Sequence, residues 1–152
     1  MRFLVQRVTQ ASVTVSGQVT GSIGKGLLVL VGVHSNDSES IAEAMLDKLI
    51  NLRIFPDSDN KMNLSALQTG AALLLVSQFT LYGDCRKGRR PSFAHAATPE
   101  QAQDLYNLLV TAARGTGLEI QTGAFREHMD VALVNDGPIT LMLDSAELFP
   151  VR

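Results

Sequence analysis

The sequence predicts a sheet-rich α+β domain with two helices packed on the sheet. Two unbroken apolar runs, Leu27-Leu28-Val29-Leu30-Val31 and Leu73-Leu74-Leu75-Val76, read as strands covered on both faces. Two further segments repeat apolar residues at helical spacing behind clear start signals. With 152 residues and 45% hydrophobic content, the chain is near the usual size of one folded domain.

Taken in order, Met1 to Arg7 opens with a brief apolar run that polar residues soon interrupt. Val13-Thr14-Val15 and Val19 flank Ser16-Gly17-Gln18, which predicts a hairpin. The strand Leu27 to Val31 follows. The first helix comes after Ser35-Asn36-Asp37-Ser38; Ser40 with Glu43 forms a capping-box pattern, and Ile41, Met45, Leu49 and Leu52 share a face. The second begins at Thr98 as N-cap with Pro99 at the first helical position and Gln101 completing a box. Ala102, Leu105, Leu109 and Ala112 line its apolar face, and Gly115 or Gly117 closes it. Met129 to Val134 and Ile139 to Leu143 read as two strands separated by Asn135-Asp136-Gly137-Pro138.

Composition narrows the function classes. The single cysteine, Cys85, excludes an internal disulfide framework and a multi-thiolate metal site, and it fits a reducing compartment. The apolar start is too short for a signal peptide, and no stretch approaches the roughly 18 residues that span a membrane. The expected location is cytoplasmic. A net charge of −2 gives no global attraction to nucleic acid, so any RNA contact requires a local basic patch.

There is no G-x-S-x-G elbow, Walker loop, H-E-x-x-H or G-x-G-x-x-G motif. His34, His95 and His128 share no metal-ligand spacing, and surface or capping roles suit each of them. No metal and no cofactor is expected.

Three stretches carry candidate chemistry. In Ser77-Gln78-Phe79-Thr80-Leu81-Tyr82-Gly83-Asp84, a buried strand runs into a cluster of hydroxyls and an amide. A strand end is a rigid place from which to aim oxygens and backbone N–H groups at a ligand; it is also simply how a strand leaves a core. Just downstream, Arg86, Lys87, Arg89 and Arg90 put four cations within five residues, beside Gly88 and Pro91. Such a loop suits phosphate oxygens, although charge runs are also ordinary solvated surface. Its adjacency to the polar strand end fits a substrate with a phosphate backbone and a reactive end. The third stretch, Asn135 to Thr140, reads by itself as a tight turn.

Taken together, these motifs resemble the D-aminoacyl-tRNA deacylase family. The likeness runs through Val5-Gln6-Arg7-Val8, Ala11-Ser12-Val13, Gly26 to Gly32 and Asn51-Leu52-Arg53-Ile54-Phe55. It continues through Lys61-Met62-Asn63-Leu64-Ser65, Ser77 to Leu81, Lys87 to Phe93 and Asn135 to Thr140. It implies one domain over residues 1–152 with barrel-like β-sheets, assembled as a homodimer. It also implies a pocket for the aminoacyl group and terminal adenosine, lined by Ser77, Gln78, Phe79 and Thr80, with Phe125 and Met129 further along. Gly137 and Pro138, joined by a cis bond, would enter the partner's site and reject L-amino acids. Lys87, Arg89 and Arg90 would hold tRNA. Cys85 departs from the small hydroxyl residue expected after the signature.

The implied reaction is hydrolysis of an activated ester, which needs positioning and charge stabilisation more than a strong nucleophile. Backbone N–H groups around Gln78 to Thr80 are the expected oxyanion hole. Thr80 has no base nearby in sequence, so an attacking water is favoured. Two rival readings stand beside this one: a noncatalytic RNA-binding module, and an esterase or amidase acting on small D-compounds.

Overall fold

The computed structural model describes residues 1–151. In chain order the first elements are β1 Arg2–Val15, β2 Gln18–Ile23, β3 Gly26–Gly32, α1 Glu39–Asn51, β4 Phe55–Pro56 and β5 Met62–Leu64. Then come α2 Ala66–Thr69, β6 Ala72–Ser77, a 3-10 turn Phe79–Tyr82, α3 Pro99–Arg114, β7 Ile120–Thr122, β8 Asp130–Asp144 and α4 Ser145–Leu148.

The long strand β1 organises the sheet. Its first half pairs with β3 and its second half with β2, both antiparallel, while β8 runs along its other edge from Arg2↔Asp144 to Thr14↔Asp130. Ser16 and Gly17 both have positive φ (49° and 79°), the turn geometry whose twist matches a two-residue hairpin. β6 joins β3 in parallel and β7 joins β6, giving the order β2-β1-β3-β6-β7. The sheet curls until β2 meets β7: a Cβ on Gly21 would stand 2.3 Å from the carbonyl oxygen of Thr122. Only glycine permits that approach, and it brings the two ends of a nearly closed barrel together.

Burial follows the strand period. Leu27, Val29, Val31, Leu73 and Leu75 face α1 and α3, whereas Leu28, Ala72, Leu74 and Val76 face the barrel interior with Val8, Ala11, Val13 and Ile23. The two apolar runs are thus covered on both sides, as expected of them. A register shift between Val8 and Gln10 moves the inward positions of β1 from even to odd numbers, which keeps Val8, Ala11 and Val13 all inside.

Helix α1 begins two residues earlier than the Ser40–Glu43 pattern suggests. Ser38 is the N-cap and accepts from Ile41 N, while the Ser40 hydroxyl lies 2.9 Å from that of Ser38. In α3 the expected cap holds, with Thr98 accepting from Gln101 N at 3.3 Å. The return half of that box, Thr98 N donating to the Gln101 side-chain oxygen, does not form; Gln101 Nε2 donates to the Ser35 carbonyl at 2.9 Å and ties α3 to the loop before α1. The short helices α2 and α4 lie beyond the two expected ones; one turn each is too little for apolar periodicity to register. Among the described residues no helix is long and apolar enough to cross a membrane.

The largest departure is β8. In place of two strands separated by a turn, one strand runs from Asp130 to Asp144 and bulges between Asn135 and Thr140. Asn135 Nδ2 donates to the carbonyls of Arg7 (3.0 Å) and Ile139 (2.9 Å), so the turn-like residues are fastened into a continuing ladder.

Candidate active site

The signature begins where β6 runs out of partners. Ser77 is the last residue paired with β3, and Gln78 N donates to the Val31 carbonyl at 2.7 Å. The chain then turns into the 3-10 segment, closed by Leu81 N to the Gln78 carbonyl (3.2 Å) and Gly83 N to the Thr80 carbonyl (2.9 Å). The N–H groups of Phe79 and Thr80, the first of this turn, have no hydrogen-bond acceptor among the described residues. Helical first turns leave such donors free for side chains, water or a ligand.

Outside contacts hold the turn. Arg2 Nη1 donates to the Leu81 carbonyl at 2.9 Å, and Arg2 Nε pairs with Asp144 Oδ2 at 2.8 Å. The same guanidinium lies over the Tyr82 ring, 4.6 Å from its centre. Burial pushes the Tyr82 hydroxyl well above its ordinary range. Gln78 Nε2 donates to Thr80 Oγ1, the only side-chain hydrogen bond Thr80 makes among the described residues.

Beneath this turn lies a cavity of about 590 Å³. Ser77, Gln78 and Phe79 line one wall; Phe125 and Met129 line another. The far wall is fastened from behind. Tyr106, buried on α3, donates its hydroxyl to the Leu75 carbonyl at 2.7 Å and sets its ring 6.0 Å from that of Phe125. Burial raises that hydroxyl to about 12, so it stays a donor. Met129 Sδ accepts from Ala124 N at 3.4 Å and packs so close to Gly123 that an added Cβ would stand 2.6 Å away.

The structure does not gather every expected residue into this cavity. Thr80 does not line it, its hydroxyl being turned to Gln78. Lys87, Arg89 and Arg90 are exposed in a loop beside it and make no ion pair among the described residues. Arg86 is different: Asp84 Oδ1 and Oδ2 accept from its side chain at 2.9 and 2.7 Å. That pairing holds the Asp84 carboxyl far below its usual range.

Gly137 and Pro138 are exposed on the β8 bulge and do not line the cavity of their own chain. Their peptide bond is cis, and Gly137 has φ +124°. Arg7 braces the bulge from below, with Nη1 on the Ile54 carbonyl at 2.6 Å and Nε 3.1 Å from Asp136 Oδ2. That last contact is close but misaligned as a hydrogen bond.

Sequence reasoning missed Phe93, Pro99 and the Arg126-Glu127-His128 segment as lining residues. Phe93 ended a basic loop and Pro99 began a helix, so each already had a local explanation. Arg126, with φ +65°, sits at a turn with no motif around it. His34 meets its capping expectation, accepting at Nδ1 from Asn36 N at 3.0 Å.

The family model described as D-Tyr-tRNA(Tyr) deacylase matches residues 4–144. The chain is 58% identical over 149 residues to a D-aminoacyl-tRNA deacylase of Desulfitobacterium hafniense, covering 98% of this chain and all of that one. A D-aminoacyl-tRNA deacylase of Koribacter versatilis is 56% identical over the same share of both chains. Among solved structures, the c-Myc DNA Unwinding Element Binding Protein aligns with a TM-score of 0.90 at 41% identity, covering 95% of this chain and 99% of that one. A probable eukaryotic D-amino acid tRNA deacylase shares the fold at 17% identity, with a TM-score of 0.84 over 93% of this chain and 97% of its own.

Proposed function

The chain belongs to the D-aminoacyl-tRNA deacylase family, hydrolases that act on aminoacyl-tRNA, and we propose that its reaction takes place in the cavity beneath Ser77 to Thr80. The observation that carries this reading is the pair of unpartnered N–H groups, Phe79 and Thr80, at the start of a turn whose first residue, Phe79, lines the cavity. They narrow the expected oxyanion hole, because Gln78 N is already spent on Val31. Water attacks the ester carbonyl, and the two donors take the negative charge that develops on its oxygen. The bond to the ribose oxygen then breaks, the ribose hydroxyl leaves with a proton and the free amino acid is released. Each well-placed donor contributes about 3 kcal/mol in such sites.

Water, and not Thr80, is the nucleophile in this proposal. A nucleophilic threonine needs an adjacent base, and its only side-chain partner among the described residues is the Gln78 amide, a donor. The ribose 2′-hydroxyl of the substrate stands ready to assist the water.

Chirality is assigned to Gly137 and Pro138 acting across a homodimer. Their exposure, and their absence from the cavity of their own chain, favour a role outside that chain. Val134, Leu141 and Met142 on the same strand are exposed apolar residues at 47%, 38% and 49%, suited to burial against a second copy. Backbone of the bulge would crowd the amino acid's Cα, leaving room for hydrogen and none for an L side chain. Glycyl-tRNA then passes the filter along with D-aminoacyl-tRNA. Lys87, Arg89 and Arg90 receive the tRNA phosphates, and the setting is the cytoplasm.

The test pairs D- and L-aminoacyl-tRNA carrying the same amino acid, with glycyl-tRNA alongside. Cleavage of the D and glycyl esters with the L ester spared supports the proposal. Sparing of glycyl-tRNA while the D ester is cleaved defeats the steric filter, and equal cleavage of both enantiomers defeats the selectivity.

A further inference from the structure

Phe79 and Phe93 are an unusual pair of exposed rings. Phe79 is 55% exposed and Phe93 38%, their centroids lie 5.0 Å apart at 68°, and both line the mouth of the cavity. Large exposed aromatics at a cavity mouth call for a partner with an apolar face. The fold also joins Phe93 to the basic loop. Asp84 N donates to the Ser92 carbonyl at 2.7 Å and Ser92 N to the Asp84 carbonyl at 2.9 Å, a two-way bridge that closes the loop carrying Lys87, Arg89 and Arg90. Phe93 is the first residue beyond that bridge. Its ring therefore stands at the boundary between the loop's cations and the cavity. Edge-to-face contact with Phe79 fixes its orientation and leaves part of the ring free.

We propose that Phe93 is a stacking platform for the base of the nucleotide immediately preceding the esterified terminal nucleoside. This rests on the reading that the cavity holds the aminoacylated end. The unpaired 3′ end of a tRNA has bases free to stack and a phosphate at every step, and aromatic faces flanked by cations are how proteins hold single-stranded nucleic acid. With the ester inside the cavity, the strand leaves across Phe93, and its phosphates run toward Lys87, Arg89 and Arg90. Lodging the strand this way sets its direction before the carbonyl reaches the donors.

The chain has no tryptophan, so Phe93→Trp introduces a single tryptophan at the platform, whose emission is excited selectively over that of the two tyrosines. Uncharged tRNA with an intact 3′ end should quench that emission, and tRNA trimmed of its last two nucleotides should not. Equal quenching by both overturns the proposal, since the cations alone would then account for it; so does the absence of quenching by either.

Kinetics supply the second arm, with Phe93→Ala compared on D-aminoacyl-tRNA and on the D-aminoacyl ester of lone adenosine. The loss should be about tenfold greater on the tRNA substrate and fall mainly on KM, with Phe93→Trp restoring it. Equal losses on both substrates would make Phe93 a wall of the acyl cavity only, and no loss on either would leave it without a role; both overturn the platform. A wild-type chain that fails to cleave D-aminoacyl-tRNA, yet is quenched by the intact end in its Phe93→Trp form, defeats the proposed function and leaves the platform standing.

Discussion

The turn Phe79–Tyr82 leaves a strand buried on both faces, whereas Asp136 to Ile139 bulge from the outermost strand, β8. Both are interruptions of a ladder, and both are tied down, but by different means. The first is held by backbone hydrogen bonds and by Arg2 from the start of β1. The second is held by side chains of Asn135 and Arg7 reaching across β1. The turn retains two unpartnered N–H donors, and its first residue, Phe79, lines the cavity of its own chain. The bulge presents an exposed Gly137 and Pro138 to whatever lies outside. In the proposed function one segment stabilises charge and the other excludes shape. They should therefore fail differently when damaged.

The largest effect should come from deleting a single donor in the turn. Proline at the first position of a helical turn suits the local geometry, and Gln78, at φ −145° and ψ 81°, lies outside the α region that a following proline disfavours. Phe79→Pro removes both the ring and the N–H; Phe79→Ala removes the ring alone. Phe79→Pro should lower kcat by about 100-fold relative to Phe79→Ala, the usual cost of one oxyanion donor. Single-turnover deacylation measures this directly. A ratio near one would show that the Phe79 N–H does not face the reacting oxygen.

A smaller and different effect is expected at the bulge. Asn135→Ala removes three hydrogen bonds, one accepted from the Thr140 hydroxyl, and leaves the Arg7 and Ile139 carbonyls without those partners, at a cost of about 1–3 kcal/mol each where no water replaces them. The loosened bulge should lower the D-over-L preference by about tenfold, with turnover of the D ester within about threefold of wild type. Loss of D activity with selectivity intact would reverse the roles assigned to the two segments.

Thr80→Ala tests the turn more gently. Its hydroxyl accepts from Gln78 and does not line the cavity, so turnover should fall by about tenfold at most. A near-complete loss, with folding and tRNA affinity intact, would make Thr80 the nucleophile after all.

The same contrast explains what could be read from the sequence. Leu27 to Val31 and Leu73 to Val76 announced the central strands because burial on both faces demands apolar residues at every position. Thr98 and Pro99 announced α3 because a cap and an N1 proline satisfy local needs. The bulge was harder. Asn135, Asp136, Gly137 and Pro138 have turn chemistry, and only the ladder with β1 and the Asn135 amide turn it into an interruption within one strand. The resemblance named Ser77 to Thr80, Phe125 and Met129, and all of these but Thr80 line one cavity. Tyr106 and Gly123, which brace that wall from behind, carry no motif, since a buried hydroxyl and a close contact exist only once α3 and β7 are in place.

The smallest expected effect concerns how the turn is tied to the rest of the fold. Arg2 bridges the Leu81 carbonyl and Asp144, joining the turn to the last residue of β8. Burial acts to raise the Asp144 carboxyl, but the Arg2 hydrogen bond, the Ala146 N–H and the neighbouring positive charges outweigh it and hold the group below its ordinary value. A carboxyl depressed in the folded state contributes stability above its unfolded pKa of about 3.9, and that contribution is lost as pH falls through the lower folded value. Asp144→Asn should therefore destabilise the protein near neutral pH, by an amount that shrinks as the pH is lowered below about 4. Denaturant melts of both proteins at neutral and acidic pH measure the difference. A gap that stays constant would assign the effect to lost packing or to the cap on Ala146, and Arg2 would then hold the turn through the Leu81 carbonyl without help from the charge.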